Sequence, residues 1–120
     1  MAKILIVDDS AMSRRILRRI LEGASHDVIE ADEGMVAIEK YFLEKPDVVM
    51  LDLIMKGMVG MEVLQKIREL DGDARVIVAS ADIQHSTRTM TKDQGAVGFI
   101  TKPFVEKDVI GAVQTALKES

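Results

Sequence analysis

Residues 3–9 read KILIVDD, a run of apolar and β-branched side chains that stops at two carboxylates. Two later stretches have the same character: VVML at 48–51, ended by Asp52, and VIVA at 76–79, ended by Ser80. None of the three alternates apolar with polar residues. A strand that is apolar at every position suits a parallel sheet covered on both faces. The expected strands are Lys3–Val7, Val28–Ala31, Val48–Leu51, Val76–Ala79 and Gly98–Ile100.

Longer stretches of helical period lie between them. In Ser10–Glu22, Ile16, Leu17, Ile20 and Leu21 share a face, and Gly23 stands where a C-terminal cap belongs. Gly34–Leu43 is followed by Glu44, Lys45 and Pro46, a stop signal. Met61, Val63, Leu64, Ile67 and Leu70 mark a third helix. Val105–Lys118 is the fifth, with Val109, Ile110, Val113 and Leu117 inward. The fourth, within Asp82–Gln94, has only Ile83 and Met90 as strong anchors among the poor helix formers Ser86, Thr87, Thr89 and Thr91. It is expected to be weakly held, either because it shifts between states or because it lies on a less buried face. The pattern predicts an α/β fold: a single-domain, doubly wound, flavodoxin-like five-stranded parallel sheet, order 2-1-3-4-5, with five helices and right-handed crossovers.

The 120 residues make one expected domain, 1–120, and 48% apolar content argues against disorder. There is no cysteine, so disulfides and Cys-based zinc sites are excluded. The N-terminal apolar run is too short for a signal peptide or a membrane span. A net charge of −4 and 3% aromatics give no reason to expect nucleic acid as a partner. A cytoplasmic monomer that binds neither membrane nor nucleic acid is expected.

The chemistry-bearing residues all fall just past the C-terminal ends of expected strands. Asp8 and Asp9 follow the first, Asp52 the third and Ser80 the fourth, and Lys102 comes shortly after the fifth. Ligands of open α/β sheets bind at that edge, where strand order reverses. Three clustered carboxylates need a cation or a proton, because like charges about 4 Å apart repel by roughly 4 kcal/mol at an effective dielectric near 20. Oxygen ligands without Cys or convergent His favour Mg2+ or Mn2+. A carboxylate beside such an ion, faced by an ammonium and a hydroxyl, is arranged for phosphoryl transfer. Asp52 is the candidate nucleophile, since it ends a buried strand and precedes a loop with Gly57 and Gly60 that leaves room for a substrate. Asp8 and Asp9 are the better metal ligands. Taken singly, each residue has a plainer reading. An acid pair is often a helix cap, Asp and Ser are often local backbone binders, and Lys-Pro is often only a loop.

ILIVDDS, VVMLDLIMKGMVG, VIVASAD and GFITKPF together resemble the receiver domain of two-component response regulators, over the whole chain, and most of all its stand-alone, chemotaxis-type (CheY-like) members. The resemblance implies that Asp52 takes a phosphoryl group from a histidine kinase phosphohistidine. It implies that Asp8, Asp9, Asp52 and the backbone carbonyl of Ile54 hold Mg2+. Ser80 and Lys102 would bind the phosphoryl group, and Phe99 would be the aromatic whose rotamer follows Ser80. It also implies a cis Lys102–Pro103 bond and an output face made by the fourth helix, fifth strand and fifth helix. The chain would catalyse only its own phosphorylation and dephosphorylation. Lys56 and Val59 depart from the residues common in the family, and Phe99 lacks a tyrosine's hydroxyl. Ile54 and Asp82 border the attacking water's path in the family and pull its rate in opposite directions.

Arg14, Arg15, Arg18 and Arg19 form two rails on the outer side of the first helix. They read either as a solvated face or as a docking strip for an acidic kinase or phosphotransfer domain. Met55, Met58 and Met61 are expected to pack the loop after Asp52, and His26 and His85 to lie on the surface. Two other functions fit less well: a phosphate sink or relay without an output partner, and a small aspartyl-phosphate phosphatase. The phosphatase would want a second Asp near Asp52 and a cap insertion, and neither is seen.

Overall fold

The computed structural model describes residues 2–54, 60–81, 89 and 92–118. Its elements are β1 (Lys3–Val7), α1 (Ala11–Gly23), β2 (Asp27–Ala31), α2 (Gly34–Glu44), β3 (Val48–Leu51), α3 (Gly60–Leu70), β4 (Val76–Ser80), β5 (Gly98–Thr101) and α4 (Glu106–Lys118). The strands form one sheet, β2-β1-β3-β4-β5, parallel throughout, as the apolar runs predict. Four helices rather than five stand among the described residues. The fourth expected helix falls on 82–94, where Thr89, Lys92 and Asp93 are helical, Gln94 lies in a turn, and the remainder is outside the described residues.

The unbroken apolar strands supply two cores at once, because successive side chains point to opposite faces. Ile4 and Ile6 of β1, Val48 and Met50 of β3, and Ile77 of β4 pack with Leu17 and Leu21 of α1 and Val109 and Val113 of α4. Leu5, Val7, Val49, Leu51 and Val76 face the other way, onto Ala37 and Tyr41 of α2 and Val63, Leu64 and Ile67 of α3. Every residue of β3 and β4 is buried. Truncating any large member to Ala would cost about 2–5 kcal/mol.

Some side chains depart from the expected faces. Leu70 of α3 is exposed, and so is Ile16 of α1, so the inward face of α1 centres on Leu17 and Leu21. Gly23 is the last helical residue of α1, and the left-handed position after it belongs to Ser25 (φ 69°). α2 closes on Lys45 in the left-handed conformation, at the expected stop. His26 is half-buried rather than a surface residue, and its Nδ1 accepts a hydrogen bond from the Ala2 N–H at 3.1 Å. Burial lowers its pKa. His85 lies outside the described residues. At the exposed edge of the sheet, Arg18 and Lys40 donate to the carbonyls of Val28 and Glu30 in β2. Cations over an edge strand's carbonyls discourage pairing with another chain.

A candidate phosphoacceptor site at the C-terminal sheet edge

Strand register builds the site. Val7 of β1 pairs with Leu51 of β3, so the next residues, Asp8 and Asp52, leave neighbouring strands side by side. Both loops extend the ladder by one bond: Asp8 N–H donates to Ala31 O (3.1 Å) and Asp52 N–H to Val7 O (2.9 Å). On the other flank Ser80 pairs with Thr101, and Lys102 N–H donates to Ser80 O at 3.0 Å. The Lys102–Pro103 bond is cis.

Lys102 reaches back across the sheet edge to both buried acids. Its Nζ lies 2.9 Å from Asp8 Oδ2 and 3.0 Å from Asp52 Oδ2. Asp52 is 4% exposed and Asp8 1%. The second oxygen of each acid accepts a local N–H: Asp52 Oδ1 from Ile54 (3.0 Å) and Asp8 Oδ1 from Ser10 (2.9 Å). Asp9 is exposed, and oxygens of Asp8, Asp9 and Asp52 lie within 4.8 Å of one another. Burial raises the pKa of Asp8, against the opposing pull of the Ser10 N–H and Lys102. Burial disfavours the Lys102 charge, but the close carboxylates of Asp8 and Asp52 outweigh it and raise its pKa. Lys102 is therefore an ammonium at neutral pH. The Phe104 ring adds a face to this cation, with its centroid 5.9 Å from Nζ.

The donor set suits a hard divalent ion. All the converging atoms are carboxylate oxygens, which Mg2+ and Mn2+ prefer. Asp8 Oδ2 is buried and touches Lys102 as an ion pair, but among the described residues it forms no directed hydrogen bond. It keeps acceptor capacity for a further cation.

The chain matches the response regulator receiver domain family over residues 4–114. It belongs to that family. The chemotaxis protein CheY of Listeria monocytogenes is 39% identical over 119 residues, covering 98% of this chain and 100% of that protein. CheY of Bacillus subtilis is 39% identical over 116 residues, covering 96% and 97%. Among solved structures, the CheX–CheY–BeF3–Mg2+ complex of Borrelia burgdorferi superposes with a TM-score of 0.94 at 32% identity, covering 98% of this chain and 90% of that one. The chain is thus a CheY-like receiver in a two-component signalling family.

The receiver fold brings Asp8, Asp9, Asp52 and Lys102 into one cluster, from loops after three different strands. Ser80 is fully buried at the end of β4, on the same edge. Ile54 is 65% exposed beside Asp52. Phe99 stands half-buried in β5, where it lines an open depression of about 500 Å3 with Thr101, Lys107, Asp108 and Thr115. Gly57, Met55, Met58 and Asp82 lie outside the described residues.

Two roles were hidden in the sequence. Gly60 does not leave room for a substrate. A Cβ there would sit 2.4 Å from Leu53 Cα and 2.6 Å from Asp52 O, so its bareness lets α3 start against the Asp52 backbone. The four arginines of α1 do not form one free strip either. Arg14 and Arg18 turn onto the two carboxylate oxygens of Glu30, at 2.9 and 2.6 Å. Arg15 and Arg19 stay exposed beside Met12 and Ile16. No signal in α1 alone distinguishes the two pairs, because their partner lies in β2.

Proposed function

We propose that this receiver is a phosphorylation-activated switch in which Asp52 accepts a phosphoryl group from the phosphohistidine of a histidine kinase or phosphotransfer domain. The observation that carries the reading is the buried Asp52 carboxylate held 3.0 Å from Lys102 with the Asp8 and Asp9 carboxylates beside it. An Asp52 oxygen attacks phosphorus. The P–N bond breaks as the new P–O bond forms, and the electron pair leaves with the imidazole nitrogen, which takes up a proton. Lys102 pairs with the charge on the transferred oxygens, and the Ser80 hydroxyl donates to one of them. Mg2+ or Mn2+, held by Asp8, Asp9, Asp52 and the Ile54 carbonyl, would offset the charge of the carboxylates and the incoming phosphoryl group. The oxygen-only cluster and the Mg2+ present in the Borrelia relative's complex support that ion.

The signal is read as a shift between two pre-existing arrangements. Phe99, three residues before Lys102, lines the depression between β5 and α4, which supports an output face on this side. The fourth expected helix would border that face. The kinase or phosphotransfer partner docks on the exposed part of α1, where Arg15 and Arg19 flank Met12 and Ile16, a surface fitted to an acidic, partly apolar helix. The whole chain, 1–120, acts as one domain, in the cytoplasm and as a monomer, and turns over only its own phosphoryl group.

Incubation with a small phosphodonor and Mg2+, followed by intact mass, tests the reading. Wild type gains one phosphoryl group and Asp52→Asn gains none. An adduct on both proteins, or on neither, overturns the assignment.

A further inference from the structure

Asp8 and Asp52 are buried and meet Lys102, whereas Asp9 is exposed and enters the cluster from the peptide that follows Asp8. The plane of the 8–9 peptide sets the point on the backbone from which the Asp9 carboxylate reaches the cluster. The oxygen of that peptide is gripped from outside the site: Arg14 Nη1 donates to Asp8 O at 2.7 Å. Arg14 is itself locked. Its Nε donates to Glu30 Oε1 at 2.9 Å and its side chain is only 19% exposed. Glu30 is fixed in turn by Arg18, whose Nε meets the other carboxylate oxygen and whose Nη1 meets Glu22 at 3.0 Å. The electrostatics of the pair reach Glu30 itself. Burial works against its charge, but Arg18 and Arg14 together bring its pKa below the ordinary value. Asp8 thus has its N–H on Ala31, its carboxylate on Ser10 and Lys102, and its carbonyl on Arg14.

We infer that Arg14 is a positioning residue for divalent-ion binding: by holding the Asp8 carbonyl it sets the peptide that carries Asp9. The inference rests on the metal-dependent reading of the site given above. In the described contacts Arg14 touches none of the Asp8, Asp9 or Asp52 carboxylate oxygens, and it acts through the Asp8 backbone carbonyl. Groups that orient metal ligands from behind typically change affinity by about 10–100-fold when removed.

The sign of the effect separates this role from a simple charge effect. A guanidinium near a dication repels it, so losing the charge alone would tighten binding. Losing the positioning bond would weaken it. Mg2+ is titrated by calorimetry into the unphosphorylated full chain, for wild type, Arg14→Met, Arg14→Lys and Arg18→Ala. Arg18→Ala breaks the second Glu30 pair but leaves the Asp8 carbonyl contact, so it controls for damage to the network. We expect Arg14→Met to bind Mg2+ roughly tenfold or more weakly, Arg14→Lys to recover part of the loss, and Arg18→Ala to match wild type. Far-UV circular dichroism checks that each variant folds. If Arg14→Met does not fold, the contrast between Arg14→Lys, weakened, and Arg18→Ala, unchanged, still decides the matter. Equal or tighter binding by the Arg14 variants, or equal weakening by Arg18→Ala, overturns the positioning role while leaving the phosphoacceptor reading intact. Absence of Mg2+ binding by wild type overturns the metal-dependent reading, and the positioning role with it.

Discussion

Replacing Lys102 by Met tests whether one ammonium neutralises the acidic cluster. Lys102 Nζ lies 2.9 and 3.0 Å from Asp8 and Asp52, and its side chain is 23% exposed. Unit charges about 3 Å apart attract by roughly 5.5 kcal/mol at an effective dielectric near 20, before desolvation is subtracted. The acids oppose one another: at the 4.8 Å limit of their separation, each ionised pair repels by about 3.5 kcal/mol on the same scale. Removing the shared partner of buried charges costs about 3–5 kcal/mol, much of it from the charges left behind. Lys102→Met should therefore lose about 3–5 kcal/mol at pH 7 with chelator present. A domain of ordinary stability, about 5–15 kcal/mol, keeps its fold after such a loss. The deficit has a definite pH dependence. Burial raises the folded-state pKa of Asp8 above the ordinary carboxylate value. A carboxyl raised in this way destabilises nothing below its unfolded pKa, and its burden grows as the pH climbs toward the folded value. Without Lys102 the rise is larger, so the gap between variant and wild type should be widest at neutral pH and close toward about pH 4. Adding Asp8→Asn to the variant should return part of the loss at neutral pH. Urea unfolding followed by circular dichroism at the two pH values measures all of this. A deficit below about 1 kcal/mol at pH 7, or one that ignores pH, would refute the shared-counterion argument.

Tyr41 is the only tyrosine in a chain without tryptophan, so phenolate absorbance reports it alone. Burial, then its 2.7 Å hydrogen bond to Asp71, raises its pKa, so the stability tied to the neutral phenol persists up to about pH 10 and is lost above it. The native protein should show little phenolate at about pH 11, and Tyr41→Phe should flatten the alkaline loss of stability; half-ionisation near pH 10 speaks against this. Gly60→Ala puts a Cβ 2.4 Å from Leu53 Cα, against backbone that cannot yield cheaply, so a loss of about 1–3 kcal/mol and slower phosphorylation are expected. Denaturation equal to wild type would mean that α3 can shift freely. Arg15→Glu with Arg19→Glu should slow phosphotransfer from the partner but not from a small phosphodonor. Equal slowing of both would remove the docking role of α1.

The strands were the most legible part of the sequence. Lys3–Val7 and Val48–Leu51 are observed as expected, and Asp27, Ser80 and Thr101 extend the other three by one residue each. Strands buried on both faces need apolar side chains at every position, and few other elements impose that demand. Helix faces were less legible. Ile16 and Leu70 fit the apolar period yet are exposed, because period describes one helix while burial depends on where the covering sheet ends. Gly23 fits a cap, but α1 runs through it and the left-handed turn falls on Ser25, since Ala24 still bonds back to Leu21 and Glu22.

Local sequence determined that Asp8, Asp9, Asp52, Ser80 and Lys102 would each stand at the same edge of a parallel sheet, because every one ends or follows a strand and all the strands run the same way. Only the tertiary structure decided which atoms meet there. Lys102 bridges Asp8 and Asp52 across 94 and 50 positions of chain, Gly60 closes on Leu53, and Arg14 joins Glu30 to the Asp8 carbonyl while Arg15 stays outside. Those contacts depend on strand register and crossover packing. Residue type and spacing along a single element carry no record of either.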